Sequence, residues 1–236
     1  LGDLRSAIDL DELVLHYQPK VDLRTEKIKG VEALVRWKHP AHGLMYPDEF
    51  IGLAEQTGLI RPLTMWVLKE AIRQLGRWRL DGLGLDMAVN MSVRNLQDAQ
   101  FPERIAKIIE TSAQSARGLW MEITETAIMA DPARAQELLS GLNAMNIMLS
   151  IDDFGTGYSS LAYLSQLPVR EIKIDKSFVR GMLKNDNDAV IVRSIVDLAH
   201  NIGMSVIAEG VENRDTYELL KQLGCDAAQG FYISRP

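Results

Sequence analysis

Acids, amides and one lysine recur along this chain where short apolar runs end: Glu32, Asn90, Glu122, Asp152 with Asp153, Lys173, Glu209 and Gln229. The densest case is Asn146 to Leu161, NIMLSIDDFGTGYSSL, in which the apolar run Ile147 to Ile151 meets two adjacent carboxylates and then Gly155 and Gly157. Two neighbouring carboxylates repel unless a proton or a cation lies between them. A donor set made only of oxygen favours hard cations, Mg²⁺ or Mn²⁺. Several carboxylates in one pocket can hold two such ions, the arrangement used for in-line displacement at phosphorus. A lone acid in such a place is usually a helix cap or a solvated side chain. Acids or amides at six run ends, with a lysine at another, point instead to one shared site. Arg36, in the same segment as Glu32, carries a planar fork suited to clamping a phosphate.

For those side chains to meet, the runs must be strands whose ends converge. Leu13 to Gln18 and Ile28 to Val35 read as strands, and the gap between them is too short for a parallel crossover, so this pair is expected to be antiparallel. HPAHG, His39 to Gly43, reads as a loop. Helices are expected from Asp3 to Leu10, from Pro47 to Gln56, and from Pro62 to about Leu80 with proline at the first helical position. Thereafter strands and helices alternate. The strands are Leu85 to Asn90, Leu119 to Thr124, Ile147 to Ile151, Glu171 to Asp175, Ser205 to Glu209 and Cys225 to Gln229. The helices are Pro102 to Ser112, Pro132 to Met145, Ser159 to Gln166, Asp188 to Ile202 and Arg214 to Leu223. Alternation of this kind implies parallel strands joined by helical crossovers. The expected fold class is α/β, a modified (β/α)8 TIM-type barrel with an antiparallel first strand, in which strand ends meet on one face.

Composition narrows the chemistry. The chain has 236 residues, 47% of them hydrophobic, and a formal charge of −6, which argues against a polymeric nucleic-acid partner that would need a basic face. Cys225 is the only cysteine, and the four histidines are His16, His39, His42 and His200, so zinc is poorly provided for. The string DFG also occurs in protein kinases, but neither a strand lysine in a VAIK-like context nor an HRD loop accompanies it. No run approaches a membrane span and no signal peptide opens the chain. The expectation is a cytoplasmic domain. Leu1 at the start suggests that residues 1–236 are one domain of a larger protein, whose anchoring and regulation other segments would supply.

The segment VEALVRW, Val31 to Trp37, together with IDDFGTGYSSL (Ile151 to Leu161) and AEGVE (Ala208 to Glu212), resembles the EAL-domain family. The resemblance runs from LHYQPKVDL near the start to QGFYISRP at the end. Members of that family are phosphodiesterases that hydrolyse cyclic di-GMP to linear pGpG on a barrel with one antiparallel strand; others bind the dinucleotide without cleaving it. The resemblance implies that Glu32, Asn90, Glu122 and Asp152 bind one Mg²⁺ or Mn²⁺ ion. Asp152 with Asp153 would hold a second, and Glu209 would serve nearby as ligand or base. It implies a water activated between the ions, with Lys173 orienting it or helping to deprotonate it. Gln18, Leu34, Arg36 and Gln229 would contact the ligand, Glu212 would support the site by hydrogen bonding, and Glu125 would anchor the loop after Asp153. Glu55 also matches a family motif. A homodimer is implied, with that loop near the contact. No metal or lysine position departs from the family pattern, which favours the enzyme over the catalytically silent receptor.

Overall fold

The computed structural model describes residues 2–10, 12–112, 116–157 and 161–236. Strand β1 spans Leu13–Asp22 and β2 spans Ile28–His39. They pair antiparallel from Leu13 opposite Trp37 to Val21 opposite Ile28, as the short connection between them requires. A short β3, Gly43–Met45, folds back on the end of β2, where the sequence reads as loop. The remaining strands are β4 (Asp86–Met91), β5 (Leu119–Thr124), β6 (Met148–Phe154), β7 (Glu171–Ile174), β8 (Ser205–Ala208) and β9 (Ala227–Ala228). From β2 through β4 to β9 every step is parallel, and β9 then meets β1 antiparallel, closing the ring. The fold is therefore a TIM-type barrel in which β1 alone runs against its neighbours, with β3 as an appendage.

Side chains alternate along each strand, and the two faces have different jobs. Met87 and Val89, Met121 and Ile123, Leu149 and Ile151, Ile172 and Ile174 are all buried and join the apolar layer beneath the helices. Their neighbours Glu122, Asp152 and Lys173 point into the barrel. Among the covering helices, Pro47–Thr57 opens with proline at its first position and closes at Gly58, in left-handed backbone at φ 78°. The next helix, Ile60–Leu80, starts two residues before the expected Pro62. Proline is tolerated there because the first turn has no use for its missing N–H.

Three short helices absent from the expectation follow strands directly. These are Val93–Leu96 after β4, Glu125–Ala130 after β5 and Lys176–Gly181 after β7, capped by the side chains of Ser92, Thr124 and Asp175. They form much of the rim at the C-terminal end of the barrel. The expected helix Ser159 to Gln166 is described only as Leu161–Leu164, its first two residues lying outside the described set. Among the described residues no helix is long and apolar enough to cross a membrane.

Candidate active site

Register brings the acids to one level. Gln18 lies opposite Glu32 and Asn90 opposite Glu122, while Asp152 is opposite Thr124, at the end of β5. Glu209 and Gln229 are the first residues beyond β8 and β9, one position past where their strands end. The expected strand, Ile147 to Ile151, would end just before the two aspartates. The strand does not stop at Ile151; it runs to Phe154, with a register shift against β7 between Ile151 and Phe154. Asp153 sits in left-handed backbone at φ 52° within that irregularity. A bulge of this kind can re-aim a side chain that a regular strand would send to the other face.

Lys173 lies at the centre with no exposed surface. Its Nζ is 2.6 Å from Glu122 Oε2, 2.6 Å from Glu209 Oε1, 3.0 Å from Asp152 Oδ1 and 3.7 Å from Glu32 Oε2. Asn90 Nδ2 donates to Glu32 Oε1 at 2.6 Å, and Gln229 Nε2 donates to Glu32 Oε2 at 2.6 Å and to Gln18 Oε1 at 3.0 Å. Gln18 in turn donates to the Ser234 carbonyl. A residue that sequence reasoning missed completes the floor: Lys20, fully buried, whose Nζ reaches Glu122 Oε1 at 2.5 Å. Its signal was the period of two, since Lys20 follows Gln18 on the same face of β1.

The charges do not balance. Glu32, Glu122, Asp152, Asp153 and Glu209 set five carboxylates against the ammonium groups of Lys20 and Lys173, leaving three formal negative charges. Burial alone would raise the Glu122 carboxyl, but Lys173 and Lys20 outweigh it and hold the group down to about 2. Lys173 is raised well above its ordinary range because the surrounding carboxylates overcome the cost of burying it. Glu209 is pushed up to about 8, first by burial and then by Asp152, Glu32 and Glu122, against the pull of Lys173. Asp153 is pushed up to about 6 by burial, Asp152 and Asp175. Asp152, Asp153 and Glu209 each present an oxygen, and these lie within 4.8 Å of one another. That donor set fits a hard divalent cation.

A cleft of about 430 Å³ opens above the carboxylates, lined among others by Gln18, Leu34, Asp48, Glu212 and Gln229. Arg36 is not brought to it. Its guanidinium bonds the Val35 carbonyl, lies 5.0 Å over the Tyr46 ring and is almost wholly buried.

A sequence model of the EAL domain matches residues 1–236. The chain belongs to the EAL domain family. It is 44% identical over 238 residues to the bifunctional diguanylate cyclase/cyclic di-GMP phosphodiesterase MucR of Pseudomonas aeruginosa, covering all of this chain and 35% of that protein. It is 41% identical to the cyclic di-GMP phosphodiesterase NbdA of the same organism, covering 99% of this chain and 30% of that one. The chain thus spans about a third of the length of these curated relatives. Among solved structures, the PaMucR phosphodiesterase in complex with c-di-GMP superimposes with a TM-score of 0.95 at 43% identity, covering all of this chain and 96% of that one. The FimX EAL domain of Pseudomonas aeruginosa bound to c-di-GMP gives 0.91 at 25% identity, covering all of this chain and 95% of that one.

In this EAL domain Glu125 lies beneath the loop after the aspartate pair. Its Oε2 accepts from the backbone N–H of Gly155 at 3.1 Å and of Gly157 at 3.3 Å. Gly155 holds φ 99°, a conformation that favours glycine, and a methyl on Gly157 would lie 3.0 Å from the Glu125 carboxylate, which would have to shift to admit it. Tyr158 to Ser160 fall outside the described residues. Glu55 accepts from Ser92 Oγ at 2.7 Å, tying the helix Pro47–Thr57 to the turn that follows Asn90.

The raised acids make a stability prediction whose sign can be worked out. A carboxyl whose folded pKa exceeds its unfolded value keeps a proton that the unfolded chain releases, so folding weakens as pH rises between the two values. For Asp153 and Glu209 that window runs from the ordinary carboxylate range up to about 6 and about 8. Metal-free protein is expected to lose thermal stability across that window, and added Mg²⁺ to recover more at its alkaline end, where no proton competes. Thermal midpoints measured with chelator and with Mg²⁺ across the range test this. An Mg²⁺ increment independent of pH would refute it.

Proposed function

We propose that this domain hydrolyses cyclic di-GMP to linear pGpG with the help of two divalent cations, Mg²⁺ or Mn²⁺. The observation that carries the reading is the unbalanced carboxylate cluster at the C-terminal mouth of a barrel, beneath a cleft able to admit a ligand. More carboxylates than the two buried lysines can balance are costly there, a cost seen in the raised Glu209 and Asp153, and two divalent cations holding an anionic phosphodiester would offset it. When bound, such ions act as Lewis acids toward a phosphoryl oxygen and lower the pKa of water. Membership of the EAL family and the names of the relatives MucR and NbdA support the substrate.

The chain's own residues divide the remaining work. Glu32, Asn90, Glu122 and Asp152 would hold one cation, and Asp152, Asp153 and Glu209 the other; the oxygen spacing of the last three supports Glu209 as a ligand. Lys173 keeps its proton because its pKa is raised, so it serves as a hydrogen-bond donor and counter-charge and does not act as a base. Gln18, Gln229 and Leu34 would position the ligand, and Glu125 would hold the loop that follows Asp153. For Arg36 to clamp a phosphate, its guanidinium would have to leave Tyr46. A homodimer, and regulation by other segments of a longer protein, complete the proposal. The domain would work in the cytoplasm.

Incubating cyclic di-GMP with the protein and Mg²⁺ or Mn²⁺ should yield pGpG. Chelation should abolish the product and either metal restore it, while Ca²⁺ should support binding with little turnover. Binding without product under Mg²⁺ and Mn²⁺ alike would make the domain a receptor. Full turnover in excess chelator would remove the cations from the mechanism.

A further inference from the structure

We infer that Lys176 and Arg180 form a subsite for the second phosphate of a cyclic dinucleotide, the one that is not cleaved. The inference rests on the proposed function and names residues that reading leaves unused. The helix Lys176–Gly181 begins three residues after Lys173, and both cations line the cleft above the carboxylates. They are four residues apart, hence neighbours on one helical face.

Their placement is built into the backbone opposite. Gly210, between Glu209 and Glu212, holds φ +69°, and a methyl group there would lie 2.6 Å from Lys176 Cβ and 3.5 Å from Arg180 Nε. Only glycine lets the Glu209–Glu212 turn pack so closely against this helix. Glu212 then orients the guanidinium, accepting from Arg180 Nη2 at 2.6 Å. Among the described residues Lys176 makes no ion pair, so its ammonium is available to a ligand.

Charge directs the rest. A cyclic dinucleotide carries two phosphodiesters a fixed distance apart across its ring. With one placed over the carboxylate cluster, the other brings a full negative charge to the rim. Asp48 and Glu212 on that rim would repel it, and Arg36 is folded away against Tyr46. Lys176 and Arg180 are the cations among the described residues lining the cleft. A cation pair at fixed distance from the scissile position would favour a substrate with a second phosphate there over one with a single phosphate.

Steady-state hydrolysis of cyclic di-GMP under Mg²⁺, and calorimetric binding under Ca²⁺, would test this in the protein carrying Lys176→Ala, Arg180→Ala and both. The double variant is expected to raise KM and Kd by about 10- to 100-fold, the loss of charge-assisted hydrogen bonds. Its kcat should stay within about threefold of wild type, and Lys176→Arg should restore most of the affinity lost in Lys176→Ala. An unaltered KM in the double variant, or a loss confined to kcat, would overturn the subsite alone. A wild type that neither binds nor cleaves cyclic di-GMP would overturn the functional reading and the subsite with it.

Discussion

Lys173→Met is expected to lower turnover by about 10²- to 10³-fold, the scale of removing one preorganised donor from a buried anionic site. It is also expected to destabilise the metal-free protein. The side chain is wholly buried, and its ammonium touches Glu122, Glu209 and Asp152 and lies near Glu32. Removing one partner from a buried ion cluster typically costs about 3–5 kcal/mol, because the charges left behind have no compensation. Here those charges are carboxylates that cations can neutralise instead. The thermal midpoint should therefore fall sharply in chelator and recover in Mg²⁺ by a larger increment than wild type shows. Lys20→Met makes the informative comparison, since Lys20 contacts Glu122 alone among these acids and leaves Lys173 in place. Its cost should be about 1–3 kcal/mol for one orphaned carboxylate oxygen, with turnover reduced less than by Lys173→Met. If Lys173→Met kept wild-type kcat and showed no added Mg²⁺ stabilisation, the lysine would be packing and not part of the site.

What could be read from residues alone divides along physical lines. Glu32, Asn90, Glu122 and Lys173 sit where period-two alternation on strongly apolar runs puts them, because a buried strand constrains every second side chain. The antiparallel β1–β2 pair followed from chain length alone, since the nine residues expected between the two strands cannot hold a helical crossover. The helices Glu125–Ala130 and Lys176–Gly181 were not legible, since six residues are too few to display helical periodicity. The β9 strand shrank to Ala227–Ala228 because its pairing depends on where β1 and β8 end, which is tertiary information. Arg36 lies on β2 as expected, yet which way a long side chain turns depends on Tyr46, ten positions further along the chain. Lys20 was passed over because the expected strand stopped at Gln18 and left it in the polar connection, whereas β1 runs on to Asp22 and sets Lys20 against the Glu122 carboxylate across the barrel.

The aspartate pair allows chemistry to be separated from backbone. Asp153 occupies left-handed φ, a region that asparagine also tolerates and that costs most other residues energy. Asp153→Asn should therefore keep the bulge while removing one carboxylate, whereas Asp153→Ala would mix strain with lost chemistry. Asp152 is the more connected of the two, lying within 3.0 Å of Lys173 Nζ and grouped with Asp153 and Glu209. As the proposed ligand shared by both cations, Asp152→Asn should reduce kcat by about 10³-fold or more, since losing it weakens both sites together. Asp153→Asn should reduce kcat less and show up mainly as a higher Mg²⁺ concentration for half-maximal rate, partly recovered at saturating metal. Titrating Mg²⁺ into the two variants and wild type, with turnover and thermal midpoint followed in parallel, separates the roles. Equal defects, both rescued by the same excess of Mg²⁺, would mean that the two aspartates serve one cation and that Asp152 bridges nothing.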